Sequence, residues 1–159
     1  MKLAGAILLV LSGVIGGALG AARLQRRVRM LRDLKMLMQA FQTGIRFAAA
    51  SLPELILEYQ DFPFCRLAEK DGEFLLNPAR ALEGAGRVLL WDNGDWELYQ
   101  GFVQGLGVSD VQGQMEHLEL YRSLLEPRLE QAREEAKQKS KVFVALGLFA
   151  GVTLSLLLL

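Results

Sequence analysis

The chain has 159 residues, with 18 basic and 18 acidic side chains, one His and one Cys. Zero formal charge gives no reason to expect a nucleic-acid binder. One Cys excludes an internal disulfide framework and a multi-cysteine metal site, and one His leaves no imidazole pair for a metal, so no cofactor is expected. A mean hydropathy of +0.23 alongside 23% charged residues points to apolar and charged residues segregated along the chain.

Residues 3–22 (LAGAILLVLSGVIGGALGAA) form a run of 20 without a charge. At about 1.5 Å per residue this reaches the roughly 30 Å of a bilayer core, so a transmembrane helix is predicted. The small residues Ala18, Gly20 and Ala22 could mimic the processing site of a cleaved signal peptide. Against that, Arg23, Arg26, Arg27, Arg29, Arg32 and Lys35 follow at once, with only Lys2 in front. Such a block resists translocation, and the span is expected to be retained.

Leu24, Val28, Leu31, Leu34, Met38, Phe41 and Ile45 recur at spacings of three and four, which predicts that the first helix continues to about Ala50. Ser51 with Glu54 reads as a capping box, and Pro53 fits the first turn of the next helix. Pro63 and Asp71-Gly72 punctuate the segment after it. Asn77-Pro78 starts another helix, with Ala81, Leu82, Ala85, Val88, Leu89 and Trp91 as its apolar face. Asn93-Gly94 ends that helix, and Asp95 is expected to cap a short one carrying Trp96, Tyr99 and Phe102. No run alternates long enough for a strand, so the middle, residues 23–141, reads as an all-α bundle.

Residues 101–114, GFVQGLGVSDVQGQ, invite a phosphate-loop reading through their glycines. No Lys-Ser or Lys-Thr follows and no strand precedes, and Asp110 would set an anion where a phosphate should sit. A tight helix-to-helix corner fits better: Gly105 and Gly107 supply positive φ or close approach, and Ser109 with Gln112 makes a capping box. The following helix carries Val111, Met115, Leu118, Leu125 and Leu129 and is expected to be kinked or divided at Pro127. His117, between Glu116 and Glu119, reads as a packing or surface residue, and Cys65 as a buried apolar one. No nucleophile with a base is present, so an enzyme is not expected.

Residues 142–159 (VFVALGLFAGVTLSLLLL) form a second uncharged run of 18, preceded by Lys137, Lys139 and Lys141. Basic residues on the inner flank of both spans place the middle in the cytoplasm and both termini outside. The charge divides accordingly. Residues 23–35 carry +5, residues 137–141 carry +3 and Lys2 adds +1, while residues 46–136, with 8 basic and 17 acidic side chains, carry −9. The basic collars suit anionic lipid headgroups, and the acidic body suits either plain solvation or a basic partner. Neither span holds an ionisable residue, which argues against an ion path. Gly13 and Gly17, Gly16 and Gly20, and Gly147 and Gly151 have the small-residue spacing that lets membrane helices pack closely, in one chain or between chains.

The run KLAGAILLVLSG, then ARLQRRVRMLRDLKMLMQAFQTGI, the corner FVQGLGVSDVQGQ and the terminal ALGLFAGVTLSLLLL together resemble the stage III sporulation protein AB family of endospore-forming bacteria, along the whole chain. The corner matches at Phe102, Leu106, Gly107, Asp110 and Gln114. It departs at Val103, where the family tends to have Gly, and Leu52-Pro53 stands in reversed order. The resemblance implies a non-enzymatic membrane subunit of the channel or secretion-like complex between mother cell and forespore. It also implies a helical domain similar to the platform protein of type II secretion and type IV pilus machines, which engages a hexameric ATPase. The expectation is a scaffold in the mother-cell membrane around the forespore that contacts other subunits of the complex and docks a cytoplasmic ATPase. The alternative is a self-associating membrane anchor or membrane-shaping protein with no motor.

Overall fold

The computed structural model describes residues 2–158; the side chains of residues 2–11, 13, 14, 140, 144, 147, 148, 151, 152 and 154–158 lie outside that description. Six helices follow one another: α1 Lys2–Ala48, α2 Leu52–Glu58, α3 Pro63–Glu69, α4 Pro78–Leu89, α5 Asn93–Gln104 and α6 Val111–Leu158. No strand occurs among the described residues. The contacts divide the chain into two compact units, Met30–Leu129 and the pair Met1–Arg29 with Glu130–Leu159.

In the Met30–Leu129 unit the spacing read from α1 lies on its buried side. Leu31, Leu34 and Phe41 are fully covered, and Met38 nearly so. An aromatic cluster fills the centre: Phe102 lies 6.5 Å from Phe41 and 6.0 Å from Tyr99, and Tyr99 stacks on Phe64 at 5.0 Å. The Tyr99 hydroxyl donates to the Leu82 carbonyl at 2.7 Å, the partner a buried phenol needs. Burial pushes that hydroxyl well above the usual tyrosine range.

The helix ends explain where the connections fall. α1 stops at Ala48 because Ala49 takes a left-handed φ of 48°, a conformation an L side chain rarely adopts inside a helix. Its chain folds back through Ala50 N–H to Gly44 O at 3.3 Å. At α2, Glu54 accepts from both the Ser51 N–H and the Ser51 hydroxyl at 2.7 Å. Those two donors hold its carboxyl below the usual range. Asn77 caps α4 by accepting from Arg80 N–H at 3.0 Å.

Residues 63–69, read only as punctuated chain, form α3, with Pro63 in its first turn and Phe64, Cys65 and Ala68 buried. On α4, Ala81, Leu82, Ala85 and Leu89 are buried but Val88 is 70% exposed, since it lies at the edge of that stripe. Trp91 is exposed because the helix has ended: Leu90 is extended and takes the buried position instead. Asp92, not Asp95, caps α5, accepting from the N–H groups of Gly94 at 3.1 Å and Asp95 at 3.2 Å. Asp92 has the extended backbone a cap requires, whereas Asp95 is inside the first turn, buried, with Arg128 Nη1 3.7 Å away.

Asp110, not Ser109, caps α6 by accepting from Gly113 N–H at 2.9 Å, and Gln112 bonds Glu116 instead. α6 also runs unbroken through Pro127. Proline removes one bond to the carbonyl four residues back. Leu125 and Leu129 on either side are 1% and 0% exposed, and their packing holds the turn.

In the other unit α1 and α6 run antiparallel. Arg27 pairs with Glu135 at 3.5 Å, and seven residues back on α1, Gly20 faces Phe143, eight residues on along α6. Residues 3–22 and 142–158 are helical, but many of their side chains lie outside the description. Among the described residues no helix is long and apolar enough to cross a membrane.

Candidate functional site

The corner between α5 and α6 is held by glycine contacts and side-chain hydrogen bonds. Gly107 has a φ of +76°, which favours glycine. Gly101 and Gly105 work differently, through close approach: a Cβ on Gly101 would strike the Tyr121 ring and one on Gly105 the His117 ring. The pair Gly101/Gly105 and the pair His117/Tyr121 are each four residues apart, so one face of α5 receives two rings of α6 in register. His117 Nε2 lies 2.8 Å from the Phe102 carbonyl, and its ring is 6.4 Å from Phe102 and 4.7 Å from Tyr121. That constellation was missed from sequence, although the matched spacings carried it.

Gln114 closes the corner. Its side chain is 4% exposed, and its Oε1 accepts from Gly107 N–H at 3.1 Å. Its Nε2 donates to the Gly105 carbonyl at 2.9 Å and to Ser109 Oγ at 3.0 Å. The structure brings Phe102, Gly105, Leu106, Gly107, Ser109, Asp110 and Gln114 together, and each has a packing or hydrogen-bonding task. Asp110 is occupied by Gly113, which also answers the phosphate-loop reading.

Other features are surfaces. Val88 is 70% exposed and Trp91 51%, and Arg87 lies over the Trp96 ring at 5.0 Å. An open groove of about 740 Å³ runs past Glu73, Arg80, Glu83, Gly84, Arg87 and Trp96. Arg80 in it is paired with Glu73 at 3.1 Å. Among the described residues no group of three or more His, Cys, Asp or Glu could hold a metal ion.

Cys65 is fully covered and its thiol is pushed up to about 12 by burial. At about pH 8 roughly one such thiol in ten thousand is ionised. The native chain is therefore expected to resist iodoacetamide, and its alkylation to rise by about 100-fold or more in urea, as read by mass spectrometry.

The basic collars and membrane glycines fall in the Met1–Arg29, Glu130–Leu159 unit. Arg23, Arg26, Arg29, Lys137, Lys139 and Lys141 are exposed. Arg27 is turned inward to Glu135, which also holds Lys139 at 3.7 Å. Gly17 is buried, a Cβ on Gly20 would meet Phe143 at 3.3 Å, and one on Gly16 would meet open space. The surroundings of Gly13, Gly147 and Gly151 lie outside the described residues.

Charge follows the same division. The Met30–Leu129 unit holds nine basic and fifteen acidic side chains, a net −6, and the other unit nine basic and three acidic, a net +6. No curated protein and no solved structure matches the chain. A family model described as stage III sporulation protein AB matches residues 2–159, and the chain belongs to that family.

Proposed function

We propose that this sporulation protein is a non-enzymatic membrane subunit of the channel or secretion-like complex joining mother cell and forespore. Its apolar runs, residues 3–22 and 142–159, cross the mother-cell membrane around the forespore as an antiparallel pair. The collars Arg23, Arg26, Arg29, Lys137, Lys139 and Lys141 meet anionic headgroups, each contributing about 1 kcal/mol near such a surface. The Met30–Leu129 unit stands in the cytoplasm as a rigid acidic head that engages other subunits and docks the ATPase of the complex.

The observation that carries this reading is the coincidence of the −6 and +6 charges with the two compact units. A head of one sign attracts a partner of the other and steers its approach. The family membership supplies the setting in spore formation.

The test is binding of the full-length chain in detergent to the purified cognate ATPase, read from about 50 to about 500 mM salt, over which the Debye length falls severalfold. Binding that weakens steadily with salt is expected. Binding that is absent or indifferent to salt contradicts the docking.

A further inference from the structure

Within the Met30–Leu129 unit, α1 and α6 cover α2–α5 with one side and leave the opposite side bare. The bare side of α1 presents Arg32, Met36, Gln39, Thr43 and Arg46, at alternating spacings of four and three, all exposed. The bare side of α6 presents Glu116, Glu119, Leu120 and Ser123, also exposed. Met36 is 42% and Leu120 53% exposed, large apolar side chains in the middle of each stripe. Between the helices runs an open groove of about 530 Å³ lined by Lys35, Gln39, Glu119, Arg122, Ser123 and Glu126. The α1 stripe thus carries two cations and no carboxylate, and the α6 stripe two carboxylates, of which Glu119 is paired at 3.3 Å with Arg122 on the groove side while Glu116 has no cation beside it in the stripe.

The ion pair Lys35–Glu126 sets the level of one helix against the other. Counting eleven residues along antiparallel helices from that pair puts Arg46 level with residue 115, next to Glu116. A two-fold axis parallel to the helices lays α1 of one copy over α6 of the next without changing level. Such an axis brings Arg46 onto the second copy's Glu116, twice and side by side at one level, with Met36 and Leu120 farther along the stripes.

A uniformly basic partner would be repelled by Arg32 and Arg46, and a uniformly acidic one by Glu116 and Glu119. A face that is itself basic on one helix and acidic on the other answers both, and a copy of this face is one. We infer that a second copy of this chain docks on the bare α1–α6 side, forming a four-helix layer in which both copies point the same way. That orientation is the one two copies in a single membrane must share, and the pairing does not depend on the ATPase.

The test uses charge reversal in the full-length chain in detergent, with mass measured by sedimentation or light scattering. Arg46→Glu sets a carboxylate against Glu116 at both contacts of a homodimer, and Glu116→Lys sets an ammonium group against Arg46 at both. Each variant alone is expected to dimerise about tenfold or more weakly than the natural chain. Mixing the two chains removes the like-charge contacts from the mixed pair, which sets the introduced carboxylate against the introduced ammonium group at one contact and keeps the natural pair at the other. Dimer is expected to return to the natural level in the mixture. Thermal melts of both variants should match that of the natural chain, since Arg46 and Glu116 are exposed. A natural chain that stays monomeric, single variants that dimerise as well as it does, or a mixture that fails to recover would each overturn the inference. Dimers that ignore both reversals would assign association to the glycine faces of the spans instead.

Discussion

Gly86→Ala is expected to destabilise the chain by about 3 kcal/mol, the upper end of the usual cost of overpacking a core. A Cβ at position 86 would enter the Tyr99 ring. That ring cannot retreat, because it stacks on Phe64 at 5.0 Å and its hydroxyl is tied to the Leu82 carbonyl at 2.7 Å. The control lies two residues away on the same helix. A Cβ on Gly84 would meet only Asp71 Oδ2, at 3.9 Å, an ordinary contact. Gly84→Ala is therefore expected to stabilise by about 0.5–1 kcal/mol, the helix propensity gained. Urea melts of the two variants should move in opposite directions. A Gly86→Ala chain as stable as the natural one would show that α4 and α5 do not approach as closely as described.

Gln114→Leu is expected to cost about 2 kcal/mol. It keeps the apolar bulk but leaves the Gly107 N–H and the Gly105 carbonyl without their side-chain partner. A buried polar group left unpaired costs about 1–3 kcal/mol, and two such groups do not cost more here because Gly107 is exposed to water. Hydrogen exchange localises the effect: amides of residues 105–110 should exchange faster, while those of α3 and α4 keep their protection. Uniform acceleration along the chain would mean that Gln114 supports the whole unit rather than the corner.

Much of this architecture was legible in the sequence, because it rests on rules local to a few residues. The three-four spacing of Leu31, Leu34, Met38, Phe41 and Ile45 specified the buried side of α1, and Asn77-Pro78 specified the start of α4. Caps were harder. Asp92 and Asp95 are both good caps by residue type, as are Ser109 and Asp110, and the choice depends on which residue keeps an extended backbone, which tertiary packing decides. Val88 and Trp91 were misplaced because the edge of an apolar stripe, and the residue beyond a helix end, are covered only if another element reaches them. At the corner the roles of Gly105 and Gly107 were readable from glycine chemistry. The linking role of Gln114 was not, since it is made by residues that meet only when the two helices pack, and the seating of His117 and Tyr121 on α5 left only the matched four-residue spacings as its trace.

The two apolar runs and the acidic head between them are what the functional account depends on, and its central claim is topological. Glu97 is exposed on α5, while Cys65 is buried, so Glu97→Cys places one reactive thiol on the head. A membrane-impermeant maleimide added to intact cells producing this variant is predicted to leave the introduced thiol unlabelled, and to label it fully once the membrane is permeabilised. Labelling in intact cells would put the head outside the cytoplasm and contradict both the membrane placement and the docking of a cytoplasmic partner.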